Sequence, residues 1–369
     1  MIKHTAELLA PSLTLPSELE RVELTMSAPI VPEAWAEHPL PPELLSRLEE
    51  INSTWRIIHD PLSDTAFEVA EVNTNQPMDG VLDNSTFSSS LSGNLGNAFE
   101  FAYRGTATPG ERRIYVATMG NGGSDNFSKK ELKYLRQSGR LTDEVEGKTI
   151  ALPTIQALRR ALEFEGWQPS KMSADSFGGN IATALMADFE PDQINHVYIK
   201  GRPNISQHSP IKLAHDMLIT ENMKNSKVNY ETSSDPWKMS SWILEETKRH
   251  LPRVYGVEVK HRGNIARQLG SYLLGLSIGP LPNQPQTSPA FIDTRAALER
   301  QPSALATFEF PNRDVLYKSK ADYEKFIVAI GKAARSNVQG VVTPGTHGGH
   351  AYSPNARAAS ERYAFSRQS

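Results

Sequence analysis

The pattern of apolar and polar positions alternates between short apolar runs and segments with helical spacing. Apolar or alternating runs predict strands over Ala66 to Val72, Ala98 to Tyr103, Arg113 to Met119, Lys148 to Leu152, Lys171 to Ala174, Ile194 to Lys200, Ala304 to Phe310 and Val338 to Thr343. Apolar residues three or four positions apart predict helices over Lys129 to Gln137, Pro153 to Trp167, Phe177 to Phe189, Lys320 to Ala334 and Asn355 to Phe365. This order implies an α/β fold with a mostly parallel sheet and helices on both faces.

Three stretches depart from this rhythm. Residues 1–60 begin proline-rich and continue into a helical segment, PPELLSRLEEI, so we expect an extension packed on the core. Residues 74–97 have the composition of a loop. Residues 201–303 lack predicted strands and are helical and loop-like, which indicates an insertion. The core then comprises residues 61–200 and 304–369.

Composition narrows the function classes. The chain has 369 residues and a net charge of −3, from 39 Lys+Arg against 42 Asp+Glu, which favours neither nucleic acid nor an anionic membrane as a partner. The basic runs at 129–140 and 248–267 contain acidic residues, as solvated helix surfaces do. No apolar run approaches the roughly 20 residues of a membrane span. The N-terminal residues make a poor secretory signal, so a cytoplasmic location is expected. The absence of cysteine excludes thiolate nucleophiles and disulfides.

The stretch KMSADSFGGNIATAL, residues 171–185, combines a predicted strand with a predicted helix around Ser176. A serine at a tight strand-to-helix turn, flanked by small residues, is lifted above the edge of the sheet. Residues 174–178 fill the pattern G-x-S-x-G, with Ala174 in place of the first glycine. The chain therefore resembles the α/β-hydrolase family. The resemblance implies that the insertion is a helical cap.

The resemblance also implies an acid and a histidine after later strands, in the order nucleophile, acid, histidine. Asp314 matches the acid, in the loop after the strand that ends at Phe310, and Asp322 is the competing carboxylate. The loop TPGTHGGHAYSPN after the last strand holds both candidate bases. We expect His350 to be the base, because a glycine precedes it and a helix follows, and His347 is the alternative.

Two backbone N–H groups would form the oxyanion hole in such a site. Phe177 follows the nucleophile at the start of its helix and is expected to supply one. By resemblance, the loop containing MGNGG places Met119 where the family has a histidine, and Asn121 supplies the other.

These residues predict a serine hydrolase that cleaves an ester, thioester or amide through an acyl-enzyme. Two alternatives stay open, an acyltransferase with the same triad and a non-catalytic hydrolase-fold protein that binds a ligand or protein partner. Ser176 and Asp314 could also be ordinary turn residues. Four residues of the insertion could line an acyl pocket or form ordinary cap core: Trp237, Trp242, Tyr272 and Leu273. No cofactor or metal is expected, because neither histidine has an acidic or third histidine neighbour in sequence.

Overall fold

The computed structural model describes residues 54–63, 65–85, 111–116, 127–216, 271, 273–343, 347 and 354–367. Its strands are β1 (Thr54–His59), β2 (Ala66–Val72), β3 (Val81–Ser85), β4 (Arg113–Val116), β5 (Thr142–Val145), β6 (Lys148–Ala151), β7 (Lys171–Asp175), β8 (His196–Lys200), β9 (Leu305–Pro311) and β10 (Val338–Thr343). Its helices are α1 (Lys129–Ser138), α2 (Pro153–Phe164), α3 (Gly178–Asp188), α4 (Pro210–His215), α5 (Pro289–Arg300), α6 (Lys320–Ala334) and α7 (Pro354–Phe365), with a 3₁₀ turn at Pro285–Thr287.

Eight of the described strands form one sheet, in the order β1-β2-β4-β3-β7-β8-β9-β10. Strand β2 is antiparallel to both of its neighbours, and the pairs from β4 to β10 are parallel. Strands β7, β8 and β9 are buried along almost their whole length, as parallel strands covered on both faces are. Their carboxyl ends therefore meet at one edge, where open α/β sheets bind ligands.

The predicted fold class is confirmed, with a mixed α/β architecture around a mostly parallel central sheet. The bounds of α6 and β10 match the prediction, and the other predicted elements that are described agree to within a few residues. Strand β1 lies within the expected extension 1–60 and pairs with β2. The predicted strand over 98–103, the helical segment before residue 54 and residues 217–270 of the expected cap lie outside the described residues.

The prediction of a loop over residues 74–97 is wrong at β3. This strand lies between β4 and β7, but its sequence, VLDNS, contains only two apolar residues. The carboxylate of Asp83 forms a buried ion pair with the Arg113 guanidinium of β4, at 2.9 Å. A charged residue in a buried strand obscures the apolar pattern when its partner lies 30 positions away. Strand β5 pairs with β6 in a separate hairpin. The sequence pattern does not predict it, because its sequence, TDEV, is mostly polar.

The elements on both sides of residues 344–353 are tied to the sheet, since β10 pairs with β9 and α7 is bonded to β4 and β7. The side chain of Glu361, on α7, forms a buried ion pair with Arg113 of β4 and accepts a hydrogen bond from Ser173 Oγ of β7 at 3.3 Å. Breaking a buried ion pair on one side typically costs about 3–5 kcal/mol. The segment that carries His347 therefore runs between two anchored elements, β10 and α7.

The last part of the expected insertion packs on the core. Helix α5 lies against α3, and Gln301, which follows α5, donates a hydrogen bond to the Met186 carbonyl oxygen at 3.2 Å. Helix α3 is buried from Gly178 to Met186. It thus connects the turn after β7 to the hydrophobic core.

Candidate active site

Ser176 occupies the turn between β7 and α3 in a left-handed backbone conformation. Its φ is +53°, a region that costs a residue with a side chain about 1–3 kcal/mol. Its N–H donates to the Lys200 carbonyl oxygen of β8 at 2.9 Å, and its own carbonyl accepts from Gly179 N–H at 3.0 Å. The surrounding sheet and helix therefore hold the strained residue in place.

The small residues after Ser176 allow the helix to pass close to the sheet. A Cβ on Gly179 would lie 2.7 Å from Ile199 Cγ2 on β8. The buried guanidinium of Arg202 donates to the Gly179 carbonyl and, at 2.8 Å, to Thr183 Oγ1. Burial lowers the pKa of Arg202 to about 10, which still leaves it charged at neutral pH. The local sequence pattern does not predict this support for the first turn of α3, because Arg202 belongs to a different segment.

Asp314 lies in the turn after β9. Its backbone N–H donates to the Pro311 carbonyl oxygen at 3.1 Å, and its Oδ1 accepts from Leu316 N–H at 2.8 Å. The side chain is fully buried, and Oδ2 points to His347 Nδ1 at 2.8 Å. The turn thus fixes one carboxylate oxygen on the backbone and leaves the other for the imidazole.

His347 connects the acid to the serine. Its Nδ1 lies 2.8 Å from Asp314 Oδ2, and its Nε2 lies 2.8 Å from Ser176 Oγ. An ionised carboxylate can only accept a hydrogen bond, so Nδ1 carries the proton and Nε2 faces the hydroxyl as an acceptor. The three side chains form a continuous hydrogen-bonded chain.

The charges around His347 favour its protonated form. Burial by itself lowers the pKa of His347, but the charge of Asp314, its hydrogen bond and the charge of Asp175 outweigh burial, and the ammonium of Lys200 opposes them. The net result is a pKa above the ordinary value of 6.5. An imidazolium formed by taking a proton from the serine is therefore stabilised where it forms.

Of the remaining candidates, one histidine lies outside the described residues and one carboxylate has a different hydrogen-bond partner. The expected base, His350, lies outside the described residues, and the imidazole that contacts Ser176 belongs to His347, the alternative. The competing acid, Asp322, lies in the first turn of α6 and accepts a hydrogen bond from Ser206 Oγ at 2.6 Å. Asp322 is thus bonded to a residue of the segment after β8, whereas Asp314 is bonded to the imidazole of His347.

The backbone of Phe177 lies at the N-terminus of α3, directly after Ser176. The partial positive charge of a helix N-terminus favours a developing oxyanion there. Asn121 and Met119 lie outside the described residues, so its expected partner in the oxyanion hole stays a prediction.

The described residues contain no group of three or more His, Asp or Glu side chains arranged to hold a metal ion. In the same part of the chain, no helix combines the length and hydrophobicity needed to cross a bilayer.

No protein-family model matches the chain, and no curated protein matches its sequence. Among solved structures, Cfl2 from Burkholderia cenocepacia superposes with a TM-score of 0.50, at 12% identity over 89% of this chain and 98% of that one. A bromoperoxidase from Bacillus anthracis gives 0.49, at 12% identity over 84% and 98%. The carboxylesterase CesB from Bacillus subtilis gives 0.44, at 10% identity over 88% and 95%.

Sequence identities of 10–12% provide evidence about the fold but not about the function. The superposition on Cfl2 bears on the fold, as do the strand order, with its antiparallel β2 and its crossover at β3 and β4, and the serine turn between β7 and α3. The protein has the α/β-hydrolase fold.

Proposed function

We propose that this protein is a serine hydrolase that cleaves an ester, thioester or amide through an acyl-enzyme. The observation that carries the proposal is the chain of two 2.8 Å contacts from Ser176 Oγ through His347 to Asp314. A serine hydroxyl is a weak nucleophile until an adjacent base removes its proton. A buried carboxylate on the far nitrogen sets the tautomer that such a base needs.

In the proposed reaction Ser176 Oγ attacks the substrate carbonyl carbon while its proton moves to His347 Nε2. The oxyanion is stabilised by the Phe177 N–H and, we expect, by Asn121. The bond to the leaving group then breaks, and the imidazolium returns the proton to the departing oxygen, sulfur or nitrogen. Water completes the cycle, because His347 removes its proton as it attacks the acyl carbon. The acid product departs as Ser176 Oγ recovers a proton.

We propose His347 as the base in place of His350. The sequence favours His350 because glycines precede it and a helix follows it. A loop that begins after Thr343 reaches the serine with its fourth residue, and the ring of that residue lies between Ser176 and Asp314.

A fluorophosphonate probe tests the proposal, because the activated oxygen displaces fluoride from phosphorus and stays covalently attached. We expect one label per chain on the peptide that contains Ser176 and none on S176A. An unlabelled wild-type protein, under conditions that label a known serine hydrolase, contradicts the proposal and favours a binding protein.

Product analysis separates hydrolysis from acyl transfer. With an activated ester as donor, we expect free acid as the main product even when a competing alcohol or amine is added. A product that is mainly the acylated acceptor identifies an acyltransferase. A series of esters of increasing acyl length, with thioester and amide counterparts, then defines the substrate class.

A further inference from the structure

The end of β8 and the residue after it lie against His347. The side chain of Lys200 is fully buried, and its Nζ donates a hydrogen bond to the main-chain carbonyl oxygen of His347 at 2.8 Å. The base thus has a third fixed point in addition to its two ring contacts. This contact is to the backbone, so it constrains the loop itself.

A buried ammonium is costly, since desolvation of such an ion amounts to several kcal/mol even after relaxation. In the sheet register, Lys200 pairs with Asp175 of β7 on one side and with Glu309 of β9 on the other. Both of these acidic side chains are buried. The strand ends thus provide negative charges that offset the desolvation of the lysine, at the edge of the sheet where His347 lies.

The next residue, Gly201, faces the imidazole ring. Its φ is +61°, and its N–H donates to the Glu309 carbonyl oxygen at 3.0 Å. A Cβ at this position would lie 2.9 Å from both Cε1 and Nδ1 of His347 and 3.4 Å from Asp314 Oδ2. Any side chain here therefore displaces the ring from the position in which both of its nitrogens have partners.

We propose that Lys200 and Gly201 form a positioning turn for the base, in which Lys200 fixes the main chain of His347 and Gly201 leaves the space that its ring occupies. The proposal rests on the hydrolase function proposed above, in which His347 is the base. Neither residue reaches the reacting atoms. Both act by keeping the imidazole in the geometry for proton transfer, and a misplacement of 1 Å can lower a rate about 100-fold.

The charge of Lys200 has a separate effect that can be measured. The charged groups that face His347 are the carboxylates of Asp314 and Asp175 and the ammonium of Lys200, which opposes protonation of the ring. Removal of the ammonium therefore raises the pKa of His347. Loss of the hydrogen bond lowers the maximal rate, whereas loss of the charge moves the pH dependence.

Gly201→Ala tests the turn against a matched control, Gly147→Ala. Gly147 lies in the β5–β6 hairpin with a φ of +76° and no neighbouring atom within 4 Å of an added Cβ. Both variants add a side chain in a left-handed conformation, and only G201A intrudes on the ring. We expect G201A to lower the maximal rate of fluorophosphonate labelling about 100-fold with little change in probe affinity, and G147A to stay within threefold of wild type. Labelling by G201A within threefold of G147A overturns the proposal.

Lys200→Met and Lys200→Gln separate the hydrogen bond from the charge. Both side chains are neutral and of similar length, but glutamine retains an N–H donor. We expect labelling to be about tenfold slower in K200M than in K200Q, and the acidic limb of the pH profile to move upward equally in both. Equal maximal rates for the two variants contradict the role of the hydrogen bond. If K200M does not fold, the G201A and G147A pair decides.

The downfield proton resonance of the His347 Nδ1–H gives a readout that does not depend on activity. We expect it in the wild type and in G147A, and we expect it to be lost in G201A; H347A assigns the signal. A wild type that shows the resonance but does not label contradicts the proposed hydrolase function and leaves the positioning turn supported. Persistence of the unshifted resonance in G201A overturns the positioning turn.

Discussion

The serine turn and the histidine loop meet at one hydrogen bond, yet they are held in different ways. The serine turn, Lys171 to Leu185, is one continuous strand-turn-helix unit. In the histidine loop after β10, His347 is held by residues far away in sequence, since it lies 33 positions from Asp314 and 171 from Ser176. Local backbone geometry, supported by β8, thus positions the proposed nucleophile. Long-range polar contacts position the proposed base.

The two regions also differ in the kind of interaction that dominates them. Ser176 has a strained backbone but a neutral side chain, whereas His347 has three charged neighbours, Asp314, Asp175 and Lys200. Substitutions in the serine turn should therefore change stability through the backbone. Substitutions around the histidine should change rate and pH dependence through geometry and charge.

Replacement of the base should have the largest effect. We expect His347→Ala to lower turnover of an activated ester by roughly five to six orders of magnitude, because triad members act as a unit. His350→Ala is the matched control, three residues further along the same loop, and should retain at least a tenth of wild-type turnover. Pre-steady-state burst measurements on both variants check this. Loss of the burst in H350A alone would return the role of base to His350.

Replacement of the acid should have the next largest effect. Asp314→Asn keeps the size of the side chain but presents an amide to Nδ1, which disfavours the required tautomer and lowers turnover by roughly 10⁴ in the template case. Asp322→Asn, at the other carboxylate, should change turnover less than threefold. Steady-state kinetics on the two variants decide between these carboxylates, and a larger loss in D322N would show that the acid has been misassigned.

A smaller effect is expected on the midpoint of the pH dependence of kcat/KM, which is set by the charges around His347. Because its pKa is raised, we expect kcat/KM to rise with pH through a midpoint above 6.5, as the ring loses its proton and becomes able to act as a base. Removal of the Asp314 charge should move this midpoint downward in D314N. A midpoint at or below 6.5 in the wild type would contradict the electrostatic account.

The smallest expected effect concerns strain at the nucleophile. Glycine tolerates a positive φ that costs alanine about 1 kcal/mol or more. We therefore expect S176G to be more stable than S176A by about 1 kcal/mol in urea denaturation. The same pair of substitutions at Ser173, a buried β7 residue with ordinary strand geometry, should have the opposite order. Equal stabilities of S176G and S176A would indicate that the turn is unstrained.

The sequence alone determined the features that depend on local patterns. The small residues around Ser176 predict its turn, since a tight strand-to-helix connection excludes bulk. Apolar periodicity predicts α6 and β10, because burial on a fixed face repeats with the geometry of the element. Asp314 could be identified because its position just after a strand is itself a local property.

Tertiary structure decided what depends on charges and spaces from distant segments. The sequence of β3 lacks the apolar pattern of a buried strand, because it contains Asp83. Its burial depends on the ion pair with Arg113, 30 positions away. The choice between His347 and His350 could not be made from the sequence of a glycine-rich segment, since the spacing after the last predicted strand is compatible with either histidine. In the structure, Asp314, the Lys200 ammonium and the space above Gly201 together accommodate His347. These groups come from different strand ends and meet only when the parallel sheet has formed.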